Sequence, residues 1–252
     1  MFVISAAWPT DSFGKSDFQI AQQLIEQGRS TEARRALQSE LRIHPRNIEA
    51  RYDLAVLLED INHQSDALLL YEKNIGLSWH LPSLINIAAL LERHGKAAQA
   101  HRWLKQATKK MRHEAAPWYL LAAMSEKKGH TGLAISQYKK AIKADPLNGF
   151  AWLHFATFQS RHKLADKGVK YAKKAIRLLP DCAPCWRSYA NIMRASGHNN
   201  KALAAYQRSL AIEPNSQTRQ QLITTLRSLG QTDRAKRMQQ ALDVWRKHHQ
   251  TQ

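Results

Sequence analysis

At 252 residues and 44% hydrophobic content the chain can bury a sizeable core, and 10 glycines and 8 prolines argue against long disordered stretches. No apolar run approaches the roughly 20 residues of a membrane-spanning helix, and two cysteines exclude a disulfide framework, which favours a reducing compartment such as the cytoplasm. The 38 Lys+Arg against 20 Asp+Glu leave a formal charge of +18, a surplus that draws acidic proteins, anionic membrane surfaces or nucleic acid.

The first element is an arm, residues 1–13. Its start, Met1-Phe2-Val3-Ile4-Ser5-Ala6-Ala7-Trp8-Pro9, lacks a basic leader and has an apolar stretch short for an export signal. It reads first as a disordered or packed-down arm and second as the remnant of such a signal. Beyond it a 34-residue period organises the chain: Trp118, Trp152 and Trp186 share one phase, and Pro146, Pro180 and Pro214 another. Counting by that period gives seven units, at 14–47, 48–80, 81–114, 115–148, 149–182, 183–215 and 216–249, with 250–252 as a tail. Gly28, Ala33 and Pro45 mark the first unit. Leu54, Ala67 and Tyr71 mark the second, which carries Trp79 where others close on proline. Gly95 and Ala100 mark the third. The fourth reads as two helices: Pro117–Lys128 shows helical apolar spacing, Gly129 interrupts it, and Leu133–Ala144 resumes it up to Pro146. The fifth puts Lys163 at the glycine phase and Gly168 at the alanine phase. Gly197, Ala202, Tyr206 and Ser209 mark the sixth; Leu222, Gly230 and Ala235 mark the seventh. Each unit is therefore expected to be a helix-turn-helix that buries its faces only when stacked on its neighbours.

The set Trp118-x-x-Leu121-Ala122, Gly129, Ala134, Tyr138, Ala141, Pro146 closely resembles the tetratricopeptide-repeat signature. The resemblance implies an all-α, right-handed solenoid in which the first helix of each pair lines a concave groove. It implies a non-catalytic interaction scaffold, adaptor or assembly factor for a protein or peptide, with no cofactor. A carboxylate clamp used by one subgroup of the family is missing here, because its phases hold Phe18 and Gln22, Asp53, and Pro82 and Asn86.

By phase, the groove is expected to present Phe18, Tyr52, Ile85, Tyr119, Leu153, Arg187 and Gln220. One turn on come Gln22, Val56, Ala89, Ala123, Thr157, Asn191 and Thr224, followed by Ile25, Glu59, Glu92, Glu126, Ser160, Arg194 and Arg227. The expected partner-binding residues are Tyr52, Ile85, Tyr119 and Leu153 for apolar anchors and Arg187, Asn191 and Arg194 for acidic ones, with an acidic rim between. A basic ridge is expected on the opposite, second-helix face: Lys105, Lys109, Lys139, Lys140, Lys143, Lys173, Lys174 and Arg177. That ridge reads either as a solvated lysine face or as a contact for an acidic partner or anionic lipid. The latter would make the chain peripheral to a membrane, and with no nucleic-acid motif present, RNA or DNA is the lesser option. Cys182-Ala183-Pro184-Cys185 has redox-pair spacing without the βαβ context of a thioredoxin, so it reads first as two junction-packing residues and second as a redox pair. Zinc would need ligands beyond these two, and no metal site is assigned. His63, His94, His130, His162 and His198 fall near turns, where solvated histidines are ordinary. No hydrolase, metalloprotease or nucleotide-binding motif appears, so no enzyme is expected. The ends of such an array need cover, and self-association through them is a further expectation.

Overall fold

The computed structural model describes residues 16–162 and 165–249. The arm, the tail and Lys163 lie outside the described residues. Among the described residues the secondary structure is fourteen α-helices with no strand, all in antiparallel pairs. The chain divides into two compact units, one ending at Lys110 and one beginning at Met111.

The first unit holds α1 (Asp17–Glu26), α2 (Ser30–Ile43), α3 (Ile48–Asp60), α4 (Gln64–Leu77), α5 (Leu81–Arg93) and α6 (Ala97–Lys110). The second holds α7 (Ala116–Lys127), α8 (Thr131–Ala144), α9 (Gly149–Arg161), α10 (Ala165–Leu178), α11 (Ala183–Ala195), α12 (Asn199–Ile212), α13 (Ser216–Ser228) and α14 (Thr232–His249). Within each unit a second helix packs on the first helix of its own pair and on that of the next pair. None of the described helices is long and apolar enough to cross a membrane.

Local chemistry starts and stops these helices. Ser16 opens α1 in a capping box, its Oγ accepting from Gln19 N at 3.2 Å while Gln19 Oε1 accepts from Ser16 N at 3.1 Å. Asn47, Asn148 and Asn215 cap α3, α9 and α13, each through a side-chain oxygen accepting a backbone N–H three residues on. The turn inside a pair needs one residue in the left-handed region, which costs a residue with a Cβ about 1–2 kcal/mol. Glycine supplies it at 28, 95, 129, 197 and 230, with φ between 70° and 77°. In the second pair Asn62 takes the same conformation, with φ 64°, one of the few side chains that tolerates it. The residue after each of these six returns its N–H to a carbonyl five positions back, as in Arg29 to Leu24 and His130 to Ser125, closing the helix end.

Small residues then let the two helices of a pair approach. Ala33, Ala67, Ala100, Ala134, Ala202 and Ala235 are all at most 1% exposed. In the fifth pair this phase is Gly168, and the backbone shows why alanine is not simply equivalent there. A Cβ at 168 would lie 2.9 Å from the Ala156 carbonyl oxygen and 3.3 Å from Ser160 N. The α9–α10 pair is therefore packed backbone to backbone. The volume so released is taken by aromatic rings, with Phe155 stacked between Tyr138 (centroids 5.4 Å apart) and Tyr171 (4.8 Å).

Gly168→Ala gives the sharpest test of this packing. In an ordinary helix interior the change stabilises by roughly 0.5–1 kcal/mol. Here the clash with backbone is expected to reverse the sign, costing about 1–3 kcal/mol, measured by urea unfolding. A variant more stable than wild type would refute the close approach.

Candidate functional site

The first helices of each unit form one face, and it is built differently in the two units. In the first unit, Tyr52 on α3 is half-buried, edge-on to His80 (5.3 Å between ring centroids) and tilted against Tyr71 (5.8 Å). Asn86 Nδ2 donates to Tyr71 Oη at 2.9 Å and reaches Tyr52 Oη at 3.5 Å, tying α5 to α3 and α4. Ile85 beside it is partly exposed. Tyr52 and Ile85 are thus both placed on this face with accessible apolar surface.

Two carboxylates of the expected acidic rim, Glu59 and Glu126, are paired within the protein. Glu59 accepts from Tyr71 Oη at 2.8 Å and pairs with Arg93 of the next repeat at 2.5 Å. Glu126 repeats the arrangement in the second unit, lying 3.5 Å from Tyr138 Oη, 3.2 Å from Arg161 Nη1 and 3.5 Å from His162 Nε2. Burial pushes the Tyr71 and Tyr138 phenols well above their usual pKa, and the neighbouring carboxylates push the same way. These glutamates bridge repeats instead of offering free negative charge to a partner.

In the second unit Tyr119 and Leu153 are each only 8% exposed. The cover over Tyr119 is His154, whose ring stacks on it at 4.5 Å with planes 10° apart. Neither Tyr119 nor Leu153 is therefore an open anchor, and the expected apolar floor is here an internal aromatic stack. Burial is the main force holding the His154 imidazole down to about pKa 4, with Arg161 adding to it, and burial pushes Tyr119 up to about 12. His154 is accordingly neutral at physiological pH.

What stays open on this face is a polar cleft of about 440 Å³ between α9 and α11, lined by Thr157, Ser160, Arg161, Ser188, Asn191 and Ile192. Asn191 holds its place by accepting from Tyr206 Oη at 2.6 Å, which leaves its amide N–H groups for other partners. Arg187 lies one turn before Asn191 and donates to Asn215 Oδ1 at 3.2 Å, the same oxygen that caps α13. Arg194 lies one turn after, exposed at the end of α11. The structure thus brings Arg187, Asn191 and Arg194 onto one helix beside one cleft, together with Arg161, which the phase reading passed over. Its signal was present: Arg93, Lys127 and Arg161 are spaced by 34.

The expected ridge belongs to two units. Lys105 and Lys109 are exposed on α6 of the first, whereas Lys139, Lys140, Lys143, Lys173, Lys174 and Arg177 are exposed on α8 and α10 of the second. Lys140 Nζ sits 4.9 Å above the Trp118 ring.

Cys182 and Cys185 are joined by a disulfide, so they are not two separate packing thiols. Cys182 is the N-cap of α11, its Sγ accepting from Cys185 N at 3.2 Å, with Pro184 fixing the first turn. Cys185 is 1% exposed in the core of the second unit and Cys182 is partly exposed. Among the described residues no group of three His, Cys, Asp or Glu is placed to hold a metal.

Family models for the tetratricopeptide repeat match residues 18–80, in the first unit, and 115–146, in the second. No curated protein sequence matches the chain. Among solved structures, the Cut9–Hcn1 hetero-tetramer of the APC/C is similar over 83% of this chain and 42% of that one, at 16% identity and a TM-score of 0.62. Yeast Tom70 is similar over 89% and 52%, at 17% identity and a TM-score of 0.61. A tetratricopeptide repeat protein from Parabacteroides merdae is similar over 90% and 91%, at 14% identity and a TM-score of 0.61. The chain thus spans about half or less of the first two, and the likeness to all three is one of fold.

Two measurements bear on these sites. His154 is folded at about pKa 4 against 6.5 when exposed. A histidine depressed in this way stabilises the fold above pH 6.5, and the contribution is lost as pH falls towards 4. The wild type should therefore lose about 2 kcal/mol more stability than His154→Phe between pH 7 and pH 5; parallel pH profiles would contradict the buried neutral imidazole. After reduction, iodoacetamide should alkylate partly exposed Cys182 before buried Cys185, as read by peptide mass mapping, and the reverse order would contradict this placement.

Proposed function

We propose that this chain, whose two units both carry tetratricopeptide repeats, is a non-catalytic scaffold that holds a segment of a protein partner on its first-helix face. The observation that carries the reading is the cleft between α9 and α11. It is lined by hydroxyls, the Asn191 amide and Arg161, and flanked one turn away by Arg187 and Arg194. Arg161 is held by Glu126, whereas the flanking Arg187 and Arg194 meet no carboxylate among the described residues. These two arginines and the Asn191 amide are the groups that suit a carboxylate side chain, which arginine binds with two parallel hydrogen bonds. In the first unit, Tyr52 and Ile85 offer the accessible apolar surface that suits a hydrophobic side chain. The partner accordingly carries acidic residues for the cleft of the second unit and apolar residues for the first-helix face of the first. The repeats support an interaction role in general, and the Cut9–Hcn1 structure is itself a multi-subunit assembly. No catalytic role is assigned to any residue.

The test is selection of binders from a random peptide library displayed on phage. Enriched peptides should contain Asp or Glu, and they should bind about tenfold or more weakly to Arg187→Ala/Arg194→Ala, in line with loss of charge-assisted hydrogen bonds of roughly 1.5–3 kcal/mol. Ser188→Trp, which fills the cleft from a partly exposed position, should abolish binding. Selected peptides that bind Ser188→Trp as well as wild type would sink the reading.

A further inference from the structure

The chain's charge is not spread evenly. Residues 1–110 hold 14 Lys+Arg against 12 Asp+Glu, while residues 111–252 hold 24 against 8, so nearly all of the +18 surplus belongs to the second unit. From α8 to α13 the two cationic residue types are segregated by face, whereas α7 carries Lys127 and α14 carries three arginines and two lysines. The first helices α9, α11 and α13 carry arginine and no lysine, whereas α8, α10 and α12 carry eight lysines and two arginines.

The segregation has a physical meaning. Arginine recognises a carboxylate or phosphate in a fixed, forked geometry, whereas lysine is a hydrated point charge on a flexible stem that attracts anions without fixing their position. A face made of lysines on three consecutive second helices therefore suits a diffuse sheet of negative charge. Lys139, Lys143, Lys170, Lys173 and Lys174 are all exposed, and among the described residues none of them is ion-paired. The sequence of α8, α10 and α12 contains a single acid, Asp166.

Two further observations narrow the occupant. A cleft of about 670 Å³ opens on this face with Trp152, Val169 and Tyr171 as its apolar and aromatic lining and Lys170, Lys174 and Arg177 among its cations. Such a cleft fits an amphiphilic anion, whose charged group meets the cations while its apolar part meets the rings. Indoles half-buried beside lysines also match the position tryptophan takes at the headgroup level of a bilayer. A single-stranded nucleic acid would instead need open ring faces for its bases. Here Trp118 is capped by Lys140, Trp152 is tilted against Tyr171 at 5.8 Å, and all three repeat tryptophans are only partly exposed.

We infer that the second-helix face of the second unit is a docking surface for an anionic phospholipid membrane, with the Trp152–Lys174 cleft receiving a headgroup. Binding is electrostatic and peripheral, and it leaves the first-helix face free. The inference stands independently of the peptide-binding reading, because it uses a different face and different residues.

The experiment is cosedimentation of the full chain with phosphatidylcholine vesicles that contain or lack phosphatidylserine. Wild type should sediment only with phosphatidylserine, lose binding steeply as salt is raised, and show a blue-shifted tryptophan emission when bound. Lys143→Gln/Lys170→Gln/Lys173→Gln/Lys174→Gln should bind on the order of a hundredfold or more weakly, each lysine near such a surface contributing about fivefold. Its circular dichroism should match wild type, since the replaced side chains are exposed. Arg187→Ala/Arg194→Ala should bind vesicles normally, which separates this face from the peptide site. Absence of phosphatidylserine-dependent binding, or a quadruple variant that binds like wild type, would overturn the inference. So would poly(U) or polyglutamate binding through these lysines with no vesicle binding.

Discussion

The rest of the molecule depends on one constraint: two helices joined by a very short connection must lie against each other with almost no side chain between them. Axes at the short end of the usual 8–10 Å range leave room only for hydrogen or methyl at the contact. The buried alanines at 33, 67, 100, 134, 202 and 235, and Gly168 in the fifth pair, are the form that constraint takes in the sequence. In the six pairs whose turns are described, the same short connection forces one left-handed residue. Once those positions are committed, the apolar material has to sit between pairs, where Tyr71, Tyr138 and Tyr206 are wholly buried. No pair could stand alone, because its largest rings are covered only by neighbouring pairs.

Polar groups follow from that arrangement. A tyrosine buried between repeats must still satisfy its hydroxyl, and it does so on the first-helix face, where Glu59 meets Tyr71 and Glu126 approaches Tyr138. A carboxylate in a half-buried position in turn draws the cation of the following repeat, Arg93 or Arg161. The sixth repeat has no such acid, and Tyr206 bonds to Asn191 instead. That substitution is what leaves an amide and two unneutralised arginines at one cleft. The polar, cationic character of the α9–α11 cleft is thus a by-product of how its repeat satisfies one phenol.

The repeat register, the helix-turn-helix units and the chemistry of the turns were legible in the sequence because each recurs at 34 residues and a recurrence can be counted. Features that occur once were not legible. His154 has Leu120 at the equivalent position, so nothing marked it as the ring that would cover Tyr119, and phase alone put Tyr119 and Leu153 on an open floor. Asn62 replaced a glycine whose absence gave no sign of what stood in for it. The acidic rim was legible as composition but not as pairing, because the arginines that neutralise it lie a whole repeat away. Pro184 marked Cys182 as the N-cap of α11, but the Cys182–Cys185 bond itself was not legible, because two packing thiols and a bonded pair share the same spacing.

The junctions show how far one residue type can replace another when the bond is what matters. Trp152 Nε1 donates to the Pro146 carbonyl at 2.9 Å, and Trp186 Nε1 donates to the Pro180 carbonyl at 2.8 Å, in each case six residues back. The tryptophan and proline phases therefore recur together because one supplies the donor and the other a carbonyl at the end of the preceding helix. In the second repeat the tryptophan phase is held by Arg51, which looks like a break in the pattern. Arg51 Nη2 donates to the carbonyl of Pro45, again six residues back. Its Nη1 donates to Asn74 Oδ1 at 2.9 Å, and Asn74 in turn reaches Ile48 O and Ser83 Oγ. A buried guanidinium left with an unmet donor would be costly, so the extra partners are a condition of the replacement. The junction accepts tryptophan or arginine because both can place an N–H over the same carbonyl. In the third repeat Leu84 holds the phase, and the Ser78 carbonyl six residues back accepts from His80 N at 2.7 Å instead.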